Sequence, residues 1–165
     1  MAEDLNIKGL SELLKFMDQL TPKIEANVAR GALRAGMSVV KPAAQSNIHS
    51  VSGELEKGLK IGTRRRGSLV TSNLKATGKH RSIAHLVEFG TSAHNIAAKF
   101  VGWLSFMNIF RKEINHPGAK PRPFMRPALD SQAQTATIAV AEYMKKRLTT
   151  KEGLDASHVK IEGDE

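Results

Sequence analysis

Residues 116–130 read HPGAKPRPFMRPALD, a stretch that contains four prolines. Proline fixes its own φ angle and keeps the residue before it out of the helical region. The stretch is therefore expected to follow a fixed, non-helical path and to lead into a helix after Pro127. Phe124 is the expected anchor of this path on the protein core. From the residues alone, we favour the interpretation that the stretch ties a helix to a sheet.

A long helix is predicted directly after this stretch. Its apolar positions recur with the 3.6-residue period of a helix, at Leu129, Ala133, Ala136, Val140, Met144 and Leu148. Beyond the helix, residues 151–165 hold five acids and few apolar positions, which predicts a mobile acidic tail. We therefore expect a single α+β domain over residues 1–150.

Two further helices are predicted at the N-terminal end. Residues 5–20 place apolar side chains at spacings of three and four, and Thr21-Pro22 supplies an N-cap and a first-turn proline for the next helix. The two helices are expected to form a hairpin. Pro42 is expected to kink or end the second helix, because proline removes one backbone donor.

Between the helices the sequence predicts mainly strands. Gly58–Thr63 and Ser68–Leu74 have the composition of two short strands, and the run Arg64–Gly67 lies at the turn between them. The apolar stretch Ala97–Phe110 alternates in a way that favours a strand buried on both faces. A further turn is expected at Gly90, since glycine tolerates positive φ. The expected fold is α+β, with a small, mainly antiparallel sheet flanked by an N-terminal helical hairpin and a long C-terminal helix.

The composition limits the function classes. The chain has 165 residues and no cysteine, which excludes a disulfide scaffold, a thiolate metal site and a cysteine nucleophile. Lys+Arg 25 against Asp+Glu 16 gives a net charge of +9, which suits contact with nucleic acid or with acidic protein partners. Aromatic residues make up 5%, fewer than is typical of proteins that stack bases. No apolar run reaches 18 residues and the start lacks a signal-peptide pattern, so we expect neither membrane insertion nor export.

Catalytic motifs are missing from the sequence. The six histidines form no HExxH pattern, and neither a GxSxG elbow nor a phosphate-binding loop is present. His94 and His116 are expected to approach each other in a sheet, but no carboxylate pair accompanies them. We therefore predict no catalytic, cofactor-binding or metal-binding residue, and we do not expect an enzyme.

Several short motifs, taken in order, resemble one protein family. They are IKGL at residues 7–10, SGEL at 52–55, HLVEFGT at 85–91, HNI at 94–96, LSF at 104–106, HPG at 116–118 and PRPFMRPALD at 121–130. Together they resemble the tail-component or tail-completion proteins of long-tailed bacteriophages, also called head–tail joining proteins. The resemblance covers about residues 5–148. One departure is Val51, which stands where the family often has proline and implies a looser turn before the first strand.

The resemblance implies a structural virion protein without catalysis or cofactor. It implies a ring of subunits at the neck, which we expect to be sixfold, with the tail terminator, tail tube or head-connector proteins as partners. DNA would pass through such a ring. The protein would be located in the virion tail or neck, and in the host cytoplasm during assembly. The residues assigned to assembly are Glu88, Phe89, Gly90, Thr91, His116, Pro117, Gly118, Pro123, Phe124 and Pro127.

Arg64, Arg65 and Arg66 are the candidate contacts to an acidic partner or to DNA, although a cluster of arginines at a turn is more typical of a solvated surface. The alternative function is a small basic nucleic-acid-binding protein without a role in assembly. A nuclease that uses histidines is a third, weaker class. Binding that weakens steeply with salt is the mark of the nucleic-acid alternative, whereas apolar ring contacts do not weaken in this way.

Overall fold

The computed structural model describes residues 7–49, 53–79, 81–97, 104–106 and 109–163. The described helices are α1 (Leu10–Met17), α2 (Pro22–Ser46), α3 (Glu54–Lys57), α4 (Arg81–Phe89) and α5 (Met125–Lys151). The described strands are β1 (Ile7–Lys8), β2 (Leu59–Arg66), β3 (Leu69–Ala76), β4 (His94–Ala97), β5 (Leu104–Phe106), β6 (Ile109–Arg111), β7 (Glu113–His116) and β8 (Glu162–Gly163).

Helices α2 and α5 pack antiparallel along most of their length and form the centre of the fold. Gly31 and Gly36 on α2 allow the close approach. A Cβ atom on Gly31 would overlap the ring of Tyr143, and one on Gly36 would lie 2.9 Å from the carbonyl oxygen of Ala136. The two glycines lower the helix propensity of α2, and tight packing on α5 compensates for that loss.

Pro42 was expected to kink or end α2; the helix continues through it to Ser46 and does not end there. The proline removes one N–H donor, whereas Val40 and Ala44 on either side of it are buried against Phe124 and the start of α5. Burial of this helical face offsets the missing hydrogen bond.

Two clusters of buried side chains form the core. The first lies between α1, the first half of α2, the second half of α5 and the C-terminal segment; its members are Leu13, Met17, Val28, Ala32, Ala141, Met144, Leu148, Ala156 and Val159. The second lies at the other end of α2 and α5, where the β2–β3 strands, α3 and α4 pack; its members are Val40, Ala44, Ile48, Leu55, Leu59, Ala76, Ala84, Phe124 and Ala128.

The acidic C-terminal segment differs from the expected mobile tail over its described part. Ala156 and Val159 are buried in the first cluster, and Lys145 Nζ donates a 2.6 Å hydrogen bond to the carbonyl oxygen of Val159. Strand β8 pairs antiparallel with β1. The few apolar residues of this segment cover the end of the helical core. The acidic composition of the segment gives no sign of this packing.

The α+β class is confirmed, with an N-terminal helical region and a long C-terminal helix. Among the described residues the strands form four separate two-stranded antiparallel sheets, β1–β8, β2–β3, β4–β7 and β5–β6. None of the described helices is long and apolar enough to cross a membrane.

The apolar stretch Ala97–Phe110 is not one strand. Strands β5 and β6 pair with each other, with Phe106 opposite Ile109, so the chain reverses between them. Each short strand thereby provides hydrogen-bond partners for some of the backbone groups of the other. Phe100, Val101, Trp103 and Met107, which were part of the predicted strand, lie outside the described residues.

The predicted hairpin of β2 and β3 is confirmed, but both strands are longer than expected. Pairing continues to Arg66 opposite Leu69, so only Gly67 and Ser68 form the loop. Gly67 has φ +60°, as two-residue hairpin loops require. The three arginines are therefore the last residues of β2, and they are not the turn itself.

Candidate functional site

Two distant motifs meet in a tight junction, which we define as residues 88–91 together with residues 116–127. The N–H of Thr91 donates to the carbonyl oxygen of Ala119 at 2.9 Å, and the N–H of Ala119 donates back to Thr91 at 3.1 Å. The Thr91 hydroxyl also accepts from the Ala119 N–H at 2.9 Å. Further along, the N–H of Arg122 donates to the carbonyl oxygen of Val87 at 2.8 Å. The EFGT and HPG motifs are thus held together by main-chain bonds.

Glu88 caps the start of α5 from across the junction. Its carboxylate accepts hydrogen bonds from the N–H groups of residues 124, 125 and 126, at 2.8, 3.0 and 3.2 Å. Burial opposes ionisation of this carboxyl, but the three N–H groups and the charge of Arg126 outweigh it and hold the pKa of Glu88 below its ordinary value of 4.5. The carboxylate also complements the positive end of the helix dipole. Glu88 therefore fixes the position of α5 relative to α4.

Gly90 makes the turn that brings the two halves of the junction together. Its φ is +71°, and a Cβ atom on it would lie 2.5 Å from the carbonyl oxygen of Ala119. The expected turn at Gly90 is thus confirmed. Gly118 has φ +86° and packs in the same way against the main chain of Thr91. Pro117 and Pro123 lie on the same path as Gly118, so the second half of the junction combines proline-restricted segments with a glycine turn.

We predict that Gly90→Ala lowers the free energy of unfolding by about 2 kcal/mol, roughly half from the positive φ and the rest from the displaced Ala119 carbonyl. Gly153→Ala is the matched control, because Gly153 has φ +70° and no atom within 4 Å of the added Cβ. Urea denaturation of both variants measures the two losses. Equal losses would show that the contact with Ala119 contributes nothing.

Two phenylalanines of the junction face in opposite directions. Phe124 is 0% exposed and packs in the second core cluster, as expected, while Phe89 is 71% exposed. Phe89 and the half-exposed Leu129 border an apolar depression of about 580 Å³ between α4 and the first turns of α5, which we call the α4–α5 pocket. Arg81 and Arg126 line the same pocket. Glu88 and Asp130 line it as well, so the junction presents an apolar surface whose rim carries charges of both signs.

A second apolar depression lies between α1, the first half of α2 and the tip of the β2–β3 hairpin, and we call it the α1–α2 groove. Its volume is about 640 Å³, and its lining includes Leu10, Leu14, Met17, Val70 and Met144. Asp18 and Glu25 supply carboxylates to the groove. Because α5 contributes Leu129 to the first surface and Met144 to the second, about 22 Å of helix at 1.5 Å per residue separates the two.

Strands β4 to β7 form an arm that emerges from the junction. All four residues of β4 are exposed, and so are Glu113, Ile114 and Asn115 of β7. Ile96 lies opposite Ile114, and two positions along on the same face His94 lies opposite His116. Both isoleucines are more than a third exposed. The arm therefore presents an apolar face that the rest of the described chain leaves uncovered.

The predicted approach of His94 and His116 is confirmed, with 5.0 Å between the ring centroids. His94 Nδ1 bonds to the carbonyl oxygen of Ser92 at 3.0 Å, and His116 Nδ1 accepts from the N–H of Gly118 at 3.1 Å. Each ring is thus hydrogen-bonded to a main-chain group two residues away in its own turn. Within the described ranges, no three histidine, aspartate or glutamate side chains are placed to share a metal ion.

The three arginines of β2 do not lie together. Side chains alternate along a strand, so Arg64 and Arg66 lie on one face of the β2–β3 hairpin and Arg65 on the other. Arg64 and Arg66 border a polar depression of about 510 Å³. Arg65 lines the α1–α2 groove instead, and its Nε donates to the carbonyl oxygen of Gly67 at 2.7 Å.

The comparisons with known proteins identify a family. Residues 11–90 match the family model described as "Bacteriophage HK97-gp10, putative tail-component". No curated protein and no solved structure matches the chain. The match runs from α1 to the glycine turn of the junction, and so includes Glu88, Phe89 and Gly90. Over residues 11–90, the chain is therefore similar to the HK97-gp10 family, which is described as a putative tail component of bacteriophages.

Proposed function

We propose that this protein completes the phage tail at the neck and joins it to the head, as a closed ring of identical subunits. We expect the ring to be a hexamer, and its partners to be the tail terminator, the tail tube or the head-connector proteins. The protein would be made in the host cytoplasm and retained in the virion. Its role is structural and involves no catalysed step. The match of residues 11–90 to a family of tail components carries the proposal.

The two apolar depressions support a ring. A ring contact is heterologous, because one face of each subunit meets a different face of the next. The α4–α5 pocket and the α1–α2 groove lie at opposite ends of the α2–α5 pair, as such a contact requires. Each surface carries charges of both signs, with Arg81, Arg126 and Asp130 at the first and Asp18, Glu25 and Arg65 at the second, so salt bridges can form across the contact.

The arm supports contacts beyond the ring. A two-stranded hairpin is marginally stable in water by itself, so an arm with exposed apolar residues gains stability when another chain covers it. The rigid junction fixes the base of this arm relative to α5. We therefore assign the arm face with Ile96 and Ile114 to contact with a neighbouring protein of the neck.

The ring is tested on the purified full-length protein. Native mass spectrometry is expected to give a complex near six times the 18.0 kDa of one chain. Phe89→Ser or Leu14→Ser is expected to lower the fraction of ring at least tenfold, since each removes an exposed apolar contact, while the melting temperature stays within about 2 °C of the wild type.

Leu69→Ser is the matched control for the ring, because Leu69 is 62% exposed but borders neither the groove nor the α4–α5 pocket. This variant should assemble like the wild type. A wild-type protein that stays monomeric, both alone and with tails that lack it, would contradict the proposal. Such a monomer, if it bound duplex DNA and was missing from virions, would favour the alternative of a small nucleic-acid-binding protein.

A further inference from the structure

We infer that the outer face of the β2–β3 hairpin binds the sugar–phosphate backbone of duplex DNA. The register puts Lys60 opposite Lys75, Gly62 opposite Asn73, Arg64 opposite Thr71 and Arg66 opposite Leu69. These eight residues make up the outer face. The inner face turns towards α2, and its Leu59 and Ala76 are buried in the second core cluster. On the outer face, every residue except Gly62 is exposed.

The outer face carries four cations and no carboxylate. Lys60 and Lys75 lie directly opposite each other, an arrangement that destabilises a hairpin because like charges repel. None of these two lysines, Arg64 and Arg66 forms an ion pair with another described residue. A bound polyanion would remove this repulsion, so the face is suited to an anionic partner.

The chemistry of the face favours DNA over an acidic protein. Protein–protein interfaces have an apolar centre, whereas the only apolar residue of this face is Leu69 at the tip. Protein–DNA interfaces are more polar and more positively charged. Lysine, arginine, threonine and asparagine are typical donors to phosphate oxygens, and the face offers all four.

The shape of the hairpin is compatible with a duplex. A two-stranded ribbon fits the major groove, which is about 12 Å wide. From Lys60 to Arg66 the strand rises roughly 20 Å, at about 3.4 Å per residue. The basic positions can therefore follow the phosphates over more than half of a helical turn of about 34 Å.

Arg65 provides a control within the same three-residue run. It has the same charge as its neighbours but lies on the inner face, where it lines the α1–α2 groove. The inference therefore distinguishes Arg64 and Arg66, which should bind DNA, from Arg65, which should not. The identification of this DNA as the phage genome at the neck rests on the proposed function. The contact between the outer face and duplex DNA does not depend on that function.

The test measures binding of full-length protein to a labelled duplex of mixed sequence by fluorescence anisotropy, from about 50 to 200 mM salt. The Arg64→Ser/Arg66→Ser variant is expected to bind at least tenfold more weakly at low salt. The slope of log affinity against log salt should fall by about two, since each lost phosphate contact removes about 0.9. Arg65→Ser should leave both quantities unchanged when samples of the same oligomeric state are compared. Lys60→Gln/Lys75→Gln should reproduce the loss.

Three results would overturn the inference. They are a wild-type protein that does not bind the duplex at low salt, equal losses in the Arg65 variant and the double arginine variant, and a preference for polyglutamate over DNA with the same variant pattern. The mass of each sample, measured in parallel, reports on the ring. A ring that does not bind DNA would refute the inference and leave the proposed function standing. A permanent monomer that binds DNA would support the inference and refute the proposed ring.

Discussion

Phe124→Ala is expected to lower the free energy of unfolding by about 3–5 kcal/mol, because it opens a cavity where α5 begins. Phe124 is 0% exposed and contacts the ends of α2 and α5 in the second core cluster. Its carbonyl oxygen also accepts a 3.3 Å hydrogen bond from Asn47 Nδ2. Few neighbours can collapse into the space, since the prolines on either side fix the main chain. Urea denaturation followed by circular dichroism measures the loss.

Phe89→Ala is the control for this prediction, because the same substitution is made in the same junction at a side chain that is 71% exposed. Its cost should stay within about 0.5 kcal/mol. The proposed ring adds a second expectation, since Phe89→Ala should weaken assembly while Phe124→Ala weakens folding. A loss below about 1 kcal/mol for Phe124→Ala would contradict the packing described for this residue.

Glu88→Ala is expected to cost about 2–3 kcal/mol, because it leaves three N–H groups at the start of α5 without their acceptor. Glu88→Gln keeps one acceptor oxygen for the N–H groups of Phe124 and Met125, but it loses the charge and the oxygen that accepts from the N–H of Arg126. Since the carboxylate is partly exposed and screened by solvent, that loss should be about 1 kcal/mol at pH 7.

The pH dependence of this difference tests the cap separately. The pKa of Glu88 is lower in the folded protein than its ordinary value of 4.5. The charge therefore contributes its full stabilisation above that value, and the contribution disappears as the pH falls through 4.5 towards the folded-state pKa. Thermal unfolding of wild type and Glu88→Gln should converge as the solution is acidified. A difference that stays constant from pH 7 to about pH 3 would show that the charge does not act as described.

Much of the helical frame could be predicted from the sequence. The period of apolar residues in α2 and α5 is local, and so is the proline-rich entry that ends at buried Phe124. Such features depend on residues that are close together in the chain, so the spacing of residue types in the sequence predicts them.

Other features depend on partners far away in the sequence. Residues 83–87 form a short apolar run that fits a strand as well as a helix, so α4 was not recognised. Glu88 caps a helix that begins 37 residues later, at Met125, and no local capping motif indicates it. Ala156 and Val159 are buried only because α1 and α5 leave a space for them. In each of these examples, tertiary packing determines the local structure or the burial of the residue.

The placement of the three arginines on two faces of the hairpin depends on the length of β2. A turn at residues 64–67 would have exposed Arg64, Arg65 and Arg66 together, whereas pairing as far as Arg66 puts the middle one on the opposite face. The difference changes the candidate binding surface, because Lys60 and Lys75 replace Arg65 in it. Register is therefore the structural fact on which the DNA-binding inference rests.

The central proposal is that this protein completes the tail and joins it to the head. The most direct measurement uses the phage that encodes this chain, with the gene deleted. Electron microscopy of the lysate should show filled heads and full-length tails that are not joined, and added purified protein should restore joined, infectious particles. Joined and infectious particles in the deletion lysate without added protein would contradict the claim.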